Sequence, residues 1–449
     1  MRHHASLKGT PRYALRMNLF FHGAEVLTGA ESDTAQRASL HVVDGTISAV
    51  LPPDTDAPEG SQAINLEGFL LAPGFVQTHT HLVQTLFRGL ADDMVLLDWL
   101  RTRIWPLERA HDSDSVYWSA RLGLSEMLLS GTTAILDMGT VDHTDEVFHA
   151  AQESGIRAAI GKSMMDRPNP AGLSEETDKA LGTSIDLADR WHGKGRLRYA
   201  FAPRFVPSCS DDLLTQTRDA ARARECIIHT HASENLDEVA LVRELTGTDN
   251  IIALDRLGLT GPDVVLAHCI HLTEEETRVL SQTGTQVAHC PSSNLKLGSG
   301  IAPIPELLAA GVRCSLGADG APCNNRMDMF TEMRLAALIQ SPRLGPGALS
   351  ASQALRMATA DGADAIGLST GRIEAGRPAD LVALRRNAVH CWGGGPASGA
   401  MVYAMTPQAV HSVWIDGELR VSDGAVVGWS AEETIDGCTQ ALKRIRATL

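Results

Sequence analysis

The sequence predicts an α/β protein: a (β/α)8 barrel with a small β-sandwich formed by its N- and C-terminal segments. Three observations carry the prediction. Between Pro73 and Gly371, eight short and nearly continuous apolar runs alternate with amphipathic stretches, the pattern of parallel strands buried on both faces and joined by helices. Eight such strands favour closure into a barrel over the competing arrangement, a doubly wound open sheet. Nearly every run also ends in a polar residue able to do chemistry, and barrel enzymes collect their reacting groups at the C-terminal ends of their strands. The flanking segments, 17–72 and 372–449, instead show short alternating runs broken by Gly, Pro and Asp, which predicts one discontinuous sandwich domain beside a barrel spanning 73–371. A chain of 449 residues is longer than one ordinary core holds, in keeping with two units.

Taken in order, the N-terminal MRHHASLKGTPRYALRMNLFFHG is basic but has no apolar run long enough for a signal-peptide core, and Met17 is an alternative start. LFFHGAEVLTG, ASLHVVDGTISAVL and INLEGFLLAP read as hairpin strands. The barrel runs follow: FVQTHTHL, TTAILDMG, RAAIGKSMMD, RLRYAFAPRF, CIIHTHAS, DVVLAHCI, TQVAHCP and VRCSLGADG. Between them SVYWSARLGLSEMLLSG, SDDLLTQTRDAARARE, NLDEVALVRELTG and MFTEMRLAALIQ have helical periodicity, and PNPAGLSEETD reads as a surface loop. Strand chemistry returns in GRIEAGRPADLVALR and AVHSVWIDGELRVSDG.

Composition narrows the partners. With 39 Lys and Arg against 54 Asp and Glu, the formal charge of -15 opposes nucleic acid and an anionic membrane surface alike. A small-molecule substrate fits better. No stretch approaches the roughly 20 apolar residues of a membrane span, so a soluble, cytoplasmic protein is expected. The eight cysteines form no CxxC pair, which predicts buried free thiols in a reducing compartment.

The chemistry begins at His79-Thr80-His81. Side chains alternate along a strand, so both imidazoles point the same way, as two ligands of one metal must. The fifth run adds His229 and His231 on one face and then Glu234, the sixth His268, the seventh His289 and the eighth Asp319. Three imidazoles and a carboxylate make a good ligand set for a borderline divalent ion with a position left for water. His79, His81, His231 and Asp319 are assigned to it. His229, two residues deeper, either competes with His231 or stands behind the ligands. A divalent ion lets water ionise near neutral pH once a base takes the proton; Glu234 and Asp319 are the candidate bases. Glu234 follows His231 where the strand breaks into a loop, a place from which a carboxyl can carry protons without ligating. His268 is placed to hydrogen-bond the attacking water or the developing oxyanion. Lys162 is read as a substrate contact or a nearby charge, with a solvated lysine the plain alternative. His289 faces the mouth with Ser292, Ser293 and Asn294 beside it, and Trp99 and Trp105 offer a stacking wall or ordinary core. HExxH and the PCxxC pair of other hydrolytic metalloenzymes are absent.

Together, PGFVQTHTH, HTHASEN, LAHC, AHCPSSNLKLGSG and LGADGAPCNN resemble the amidohydrolase superfamily, in the branch of triazine hydrolases and aminohydrolases of purines, pterins and adenosine-type nucleosides. The resemblance runs over almost the whole chain from about Met17. It implies a distorted (β/α)8 barrel, one Zn2+ (Fe2+ in some members), and hydrolytic loss of an amino group from an aromatic N-heterocycle. It places the ligands on His79, His81, His231 and Asp319, the proton shuttle on Glu234 and the water-orienting histidine on His268. Members with two metals bridge them by a carboxylated lysine ending the fourth strand; here that strand ends Ala202-Pro203-Arg204-Phe205, so one metal is expected. IWPLE, ending in Glu108, resembles the segment that holds ribose hydroxyls in adenosine-type deaminases and a similar one in guanine deaminases. PRFVPSCS resembles guanine deaminase, whose arginine faces the purine, whereas nucleoside deaminases usually carry histidine at the place of Arg204. Arg204 suits an exocyclic oxygen as a donor-only partner, or else pairs with a carboxylate at the rim. The substrate contacts expected are thus Trp105, Glu108, Arg204, Glu234 and His289, and relatives often form homo-oligomers. The reaction expected is deamination of a purine base or adenosine-type nucleoside. Hydrolytic dechlorination or dealkylamination of s-triazines is the alternative reaction, and an inactive barrel kept for protein interactions is the alternative class.

Overall fold

A computed structural model describes residues 17–28 and 33–449; the reading of the basic N-terminal stretch and of the start site concerns residues outside these. Eight parallel strands, β1 (Phe75–Thr80), β2 (Thr132–Thr140), β3 (Arg157–Met164), β4 (Leu197–Pro203), β5 (Ile227–Ala232), β6 (Val264–His268), β7 (Gln286–His289) and β8 (Arg313–Leu316), pair in chain order. Every residue of β1 and β2 is buried, which is why these runs show no polar alternation. The ring closes where β8 meets β1: the Asp319 amide donates to the His79 carbonyl at 3.0 Å, in a parallel bridge between Thr80 and Asp319. Closure therefore joins two of the expected metal ligands through the backbone. Below them Val76, Leu136, Ala200, Val265 and Ala288 fill the barrel interior, with Ala363 and Ile366 packed against them.

The helices start where the sequence supplies caps. Asp112 accepts from the Ser115 amide at 2.7 Å to open Ser113–Leu129, Ser210 opens Asp211–Arg222, and Asn235 opens Leu236–Thr246. Gly247, at a φ of 71°, closes the last of these in the left-handed conformation that glycine takes without strain. The loop after β3 is not wholly a surface loop: Leu173 is buried against Trp105 and Phe205.

Two further sheets come from the flanking segments. Thr46–Leu51, Ser39–Val43, Asn18–His22 and Gln62–Asn65 form one; Ala425–Val426, Glu418–Ser422, Val410–Ile415, Leu381–Arg385, Phe69–Pro73, Glu25–Val26 and Gln36–Arg37 form the other. Leu381–Arg385 runs antiparallel to Phe69–Pro73 with Ala383 opposite Leu71, so the two ends of the chain meet in one sheet. Phe21, Leu40, Val42, Leu71, Ala383 and Trp414 pack between the sheets. The chain then leaves them: Ala431–Thr448 is a helix, which the strand reading of this segment does not contain, and it lies on Ser113–Leu129. There Arg121 donates to Thr434 Oγ1 at 3.1 Å, and a Cβ on Gly437 would come within 2.3 Å of the Trp118 ring. All eight cysteines are free and buried. No helix among the described residues is long and apolar enough to cross a membrane.

Candidate metal centre and active site

Barrel closure brings the ends of β1, β5, β6 and β8 to one point. His79 Nε2 and His81 Nε2 each lie 3.4 Å from Asp319 Oδ1, and His81 Nε2 lies 3.2 Å from His231 Nε2. His268 Nε2 is 3.4 Å from Glu234 Oε2 and 3.8 Å from Asp319 Oδ2. His79, His81 and Asp319 form one compact group of potential ligands, and His79, His231 and His268 another.

The residues behind this cluster set its tautomers. His231 Nδ1 donates to the Arg204 carbonyl at 2.6 Å, which leaves the Nε2 lone pair free to ligate. His79 Nδ1 lies 2.8 Å from His229 Nε2, so His229 stands behind His79 and does not compete with His231. Ser293 Oγ donates to Asp319 Oδ2 at 2.6 Å and the Gly320 amide to Oδ1 at 2.8 Å, while Asn294 Oδ1 accepts from His268 Nδ1 at 2.8 Å. Ser293 and Asn294 thus orient the reacting groups. Ser292 instead bonds to the buried Glu332. His268 and Asp319 hold φ values of 74° and 60°, backbone that costs about 1–3 kcal/mol in a non-glycine residue and persists where neighbours enforce it.

Burial pushes the pKa values of His79, His81 and His231 down, keeping their lone pairs available at neutral pH. Burial works against the Asp319 charge too, but His79 close beside it and the other adjacent imidazoles hold its carboxyl well below the usual range. Glu234 goes the other way, raised well above an ordinary glutamate by burial first and then by Asp319 and Glu238. His79 Nε2 and His268 Nε2 have no hydrogen-bond partner although both are buried. Buried polar atoms are rarely left so. The donor set and its unsatisfied atoms fit a divalent metal ion held by His79, His81, His231 and Asp319.

A small cavity opens onto this cluster, walled by Gln84, Trp99, Leu100, Arg204, Phe205 and Leu297. Arg204 does border it, but its guanidinium is turned onto Glu108: Nη1 donates to Oε2 at 2.7 Å and Nη2 to Oε1 at 3.2 Å. Gln84 Nε2 donates to the same carboxylate at 2.9 Å. Gln84 Oε1 and Trp99 Nε1, both buried, have no partner in the protein. Glu108 is one residue removed from the cavity, behind Arg204 and Gln84. Trp105 packs in the apolar cluster around Ile104 and Met165 and is not on the wall. His289 is fully buried and is not on the wall either; successive strands feed different layers of a barrel, so ending a strand does not ensure facing the mouth. Lys162 is no substrate contact: its Nζ is buried and bonds to Glu175 and the Val141 carbonyl. Gln84 escaped the sequence reading because nothing marks it beyond its place three residues after His81. Asp137 escaped it too, although it is the one charged residue in the apolar run TTAILDMG.

Comparison with known proteins agrees with this geometry. The amidohydrolase family model matches residues 70–420. The chain is 37% identical over 395 residues to a 5-methylthioadenosine/S-adenosylhomocysteine deaminase of Moorella thermoacetica, covering 86% of this chain and 90% of that one. It is 39% identical over 408 residues to a 5'-deoxyadenosine deaminase of Methanothermobacter thermautotrophicus, covering 90% and 92%. The crystal structure of an adenosine deaminase from Xanthomonas campestris with bound zinc superposes with a TM-score of 0.90 at 31% identity, over 96% of this chain and 99% of that one. A closed barrel with histidines and an aspartate converging at its strand ends, matched over this length, places the chain in the amidohydrolase family.

Proposed function

We propose that this chain is a zinc-dependent aminohydrolase that removes the amino group of 5'-modified adenosines as ammonia, with one ion held by His79, His81, His231 and Asp319. The observation that carries the reading is the juxtaposition of Glu234, a buried carboxyl in the cavity wall, with the ligand cluster and His268. An amine is a poor leaving group and needs a proton; chloride does not. The relatives named for 5-methylthioadenosine, S-adenosylhomocysteine and 5'-deoxyadenosine supply the substrate class.

When bound, the ion lowers the pKa of a coordinated water so that it can act as a nucleophile near neutral pH. The protein's own groups do the rest. Glu234 takes one water proton and passes it to the ring nitrogen beside the amino-bearing carbon. As the adduct collapses, Asp319, aimed by Ser293 and Gly320, takes the second proton from its hydroxyl and hands it to the departing amine, which leaves as ammonia. His268, fixed by Asn294, hydrogen-bonds the oxygen as it attacks. Leu100, Phe205 and Leu297 exclude water and enclose a flat ring, while Gln84 Oε1 and Trp99 Nε1 leave one acceptor and one donor for it. Among the described residues Arg204 is the one lysine or arginine on the wall, and it is paired with Glu108, so the wall offers a 5'-phosphate no free cation. All these residues belong to 73–371. The described residues of 17–72 and 372–449 contribute none to the cavity wall, and the two segments are proposed as a separate supporting unit; assembly into a homo-oligomer belongs to the same reading.

The test is to incubate the purified protein with 5'-methylthioadenosine, 5'-deoxyadenosine, guanine, a pterin and a chlorotriazine while following ammonia and chloride. Ammonia from the 5'-modified adenosines supports the proposal. Chloride release with no ammonia from any heterocycle would overturn it in favour of triazine dechlorination.

A further inference from the structure

Asp137 lies in β2, fully buried in an otherwise apolar strand. Its Oδ1 accepts from the Leu82 amide at 2.7 Å and from the Thr80 hydroxyl at 3.0 Å, and its Oδ2 accepts from the Gly139 amide at 2.8 Å. Two of these donors flank His81, and Thr80 separates His81 from His79. The carboxylate therefore grips the backbone turn that presents both β1 ligands. An amide would not serve in its place: it has one acceptor oxygen, and its NH2 would face a backbone N–H.

Burial works against the Asp137 charge and pushes its carboxyl up to about 6; the three donors and then His79 favour the charge, and His79 is favoured by it in turn. No lysine or arginine among the described residues pairs with it. Buried anions are costly unless a cation or a metal offsets them, and groups behind metal ligands commonly tune affinity. We infer that Asp137 is a positioning residue for the metal centre, clamping the His79–Leu82 turn through Thr80 and Leu82 and supplying the counter-charge for a divalent ion on His79 and His81. This rests on the metal-dependent reading above.

The test compares metal-stripped wild-type, Asp137→Asn and Thr80→Val proteins. Zinc affinity is measured by competition with a chromophoric chelator, the visible spectrum with Co2+, and thermal midpoints with and without metal. Asp137→Asn is expected to weaken zinc binding about 10- to 100-fold, to change the Co2+ bands, and to lower the midpoint of the metal-bound protein by more than that of the metal-free protein, which loses only the hydrogen bonds. A merely structural role predicts the reverse: equal loss of midpoint with and without metal, zinc affinity within about twofold of wild type and unchanged Co2+ bands, and that result overturns the inference. If Asp137→Asn does not fold, Thr80→Val decides, since it removes one donor and keeps the charge. A severalfold loss of zinc affinity supports the clamp, and unchanged affinity overturns it. Failure of the underlying reading looks different, for then the wild-type protein itself takes up neither zinc nor cobalt.

Discussion

The Arg204–Glu108 pair offers the sharpest energetic test of the cavity wall. Both side chains are buried, and two parallel N–H to O bonds join them at 2.7 and 3.2 Å. Taking the charge centres at about 4 Å and an effective dielectric of about 20, their attraction is about 4 kcal/mol. Removing one partner also strands the other charge in a buried place, so Arg204→Met or Glu108→Gln alone should destabilise by about 3–5 kcal/mol. Replacing both strands neither, and the double variant should cost about as much as one single change, a coupling of at least about 3 kcal/mol. For 449 residues an unfolding entropy of about 2.1 cal/mol/K per residue gives about 0.9 kcal/mol/K, so each single variant should melt about 4 °C lower. Denaturant titration and calorimetry of all four proteins close the double-mutant cycle. Single losses that add within about 0.5 kcal/mol in the double variant would refute the pairing and return Arg204 to a free, substrate-facing donor.

Glu234→Gln keeps the side chain's shape and leaves its backbone amide on Glu238; kcat for 5'-methylthioadenosine should fall about 10²- to 10⁴-fold with KM little changed, whereas the 6-chloro analogue should lose less in steady-state assays. Glu332, fully buried, has its carboxyl pushed up to about 8 by burial. Between about pH 4.5, where the unfolded chain ionises it, and pH 8 the folded protein binds the extra proton, so stability falls as pH rises, by at most about 5 kcal/mol. Glu332→Gln should flatten the stability profile over that window in urea titrations, and an unchanged slope would contradict it. Lys162→Met breaks the buried ion pair that fastens Glu175 of the loop after β3. It should cost about 3 kcal/mol and open residues 165–176 to limited proteolysis.

The barrel is legible because its strands are buried on both faces: a run such as Thr132–Thr140, buried throughout, has no partner explanation outside a covered parallel sheet. The ligand set is legible for a related reason, since side-chain alternation fixes which residues of HTH face together and barrel topology fixes where strands end. The cavity wall is less so. Arg204 and Glu108 stand 96 residues apart, and no local pattern shows that each spends its charge on the other. His289 ends its strand as His268 does, yet only the three-dimensional layering separates a ring on the wall from one buried away from it. The final helix buries Thr434, Gly437, Cys438, Ala441 and Ile445, a helical spacing carried mostly by small residues, so its hydrophobic signal is faint against the strands before it.

The central claim is that ammonia is released at a single metal ion held by β1, β5 and β8. Its most direct test is to titrate the metal-stripped protein with zinc while following deamination of 5'-methylthioadenosine and the bound metal together. The account predicts no activity without metal, a linear rise to saturation at one zinc per chain, and loss of both binding and activity in His231→Ala. Full activity in the metal-free protein, or a zinc ion bound at one per chain that leaves ammonia release at zero, would contradict it.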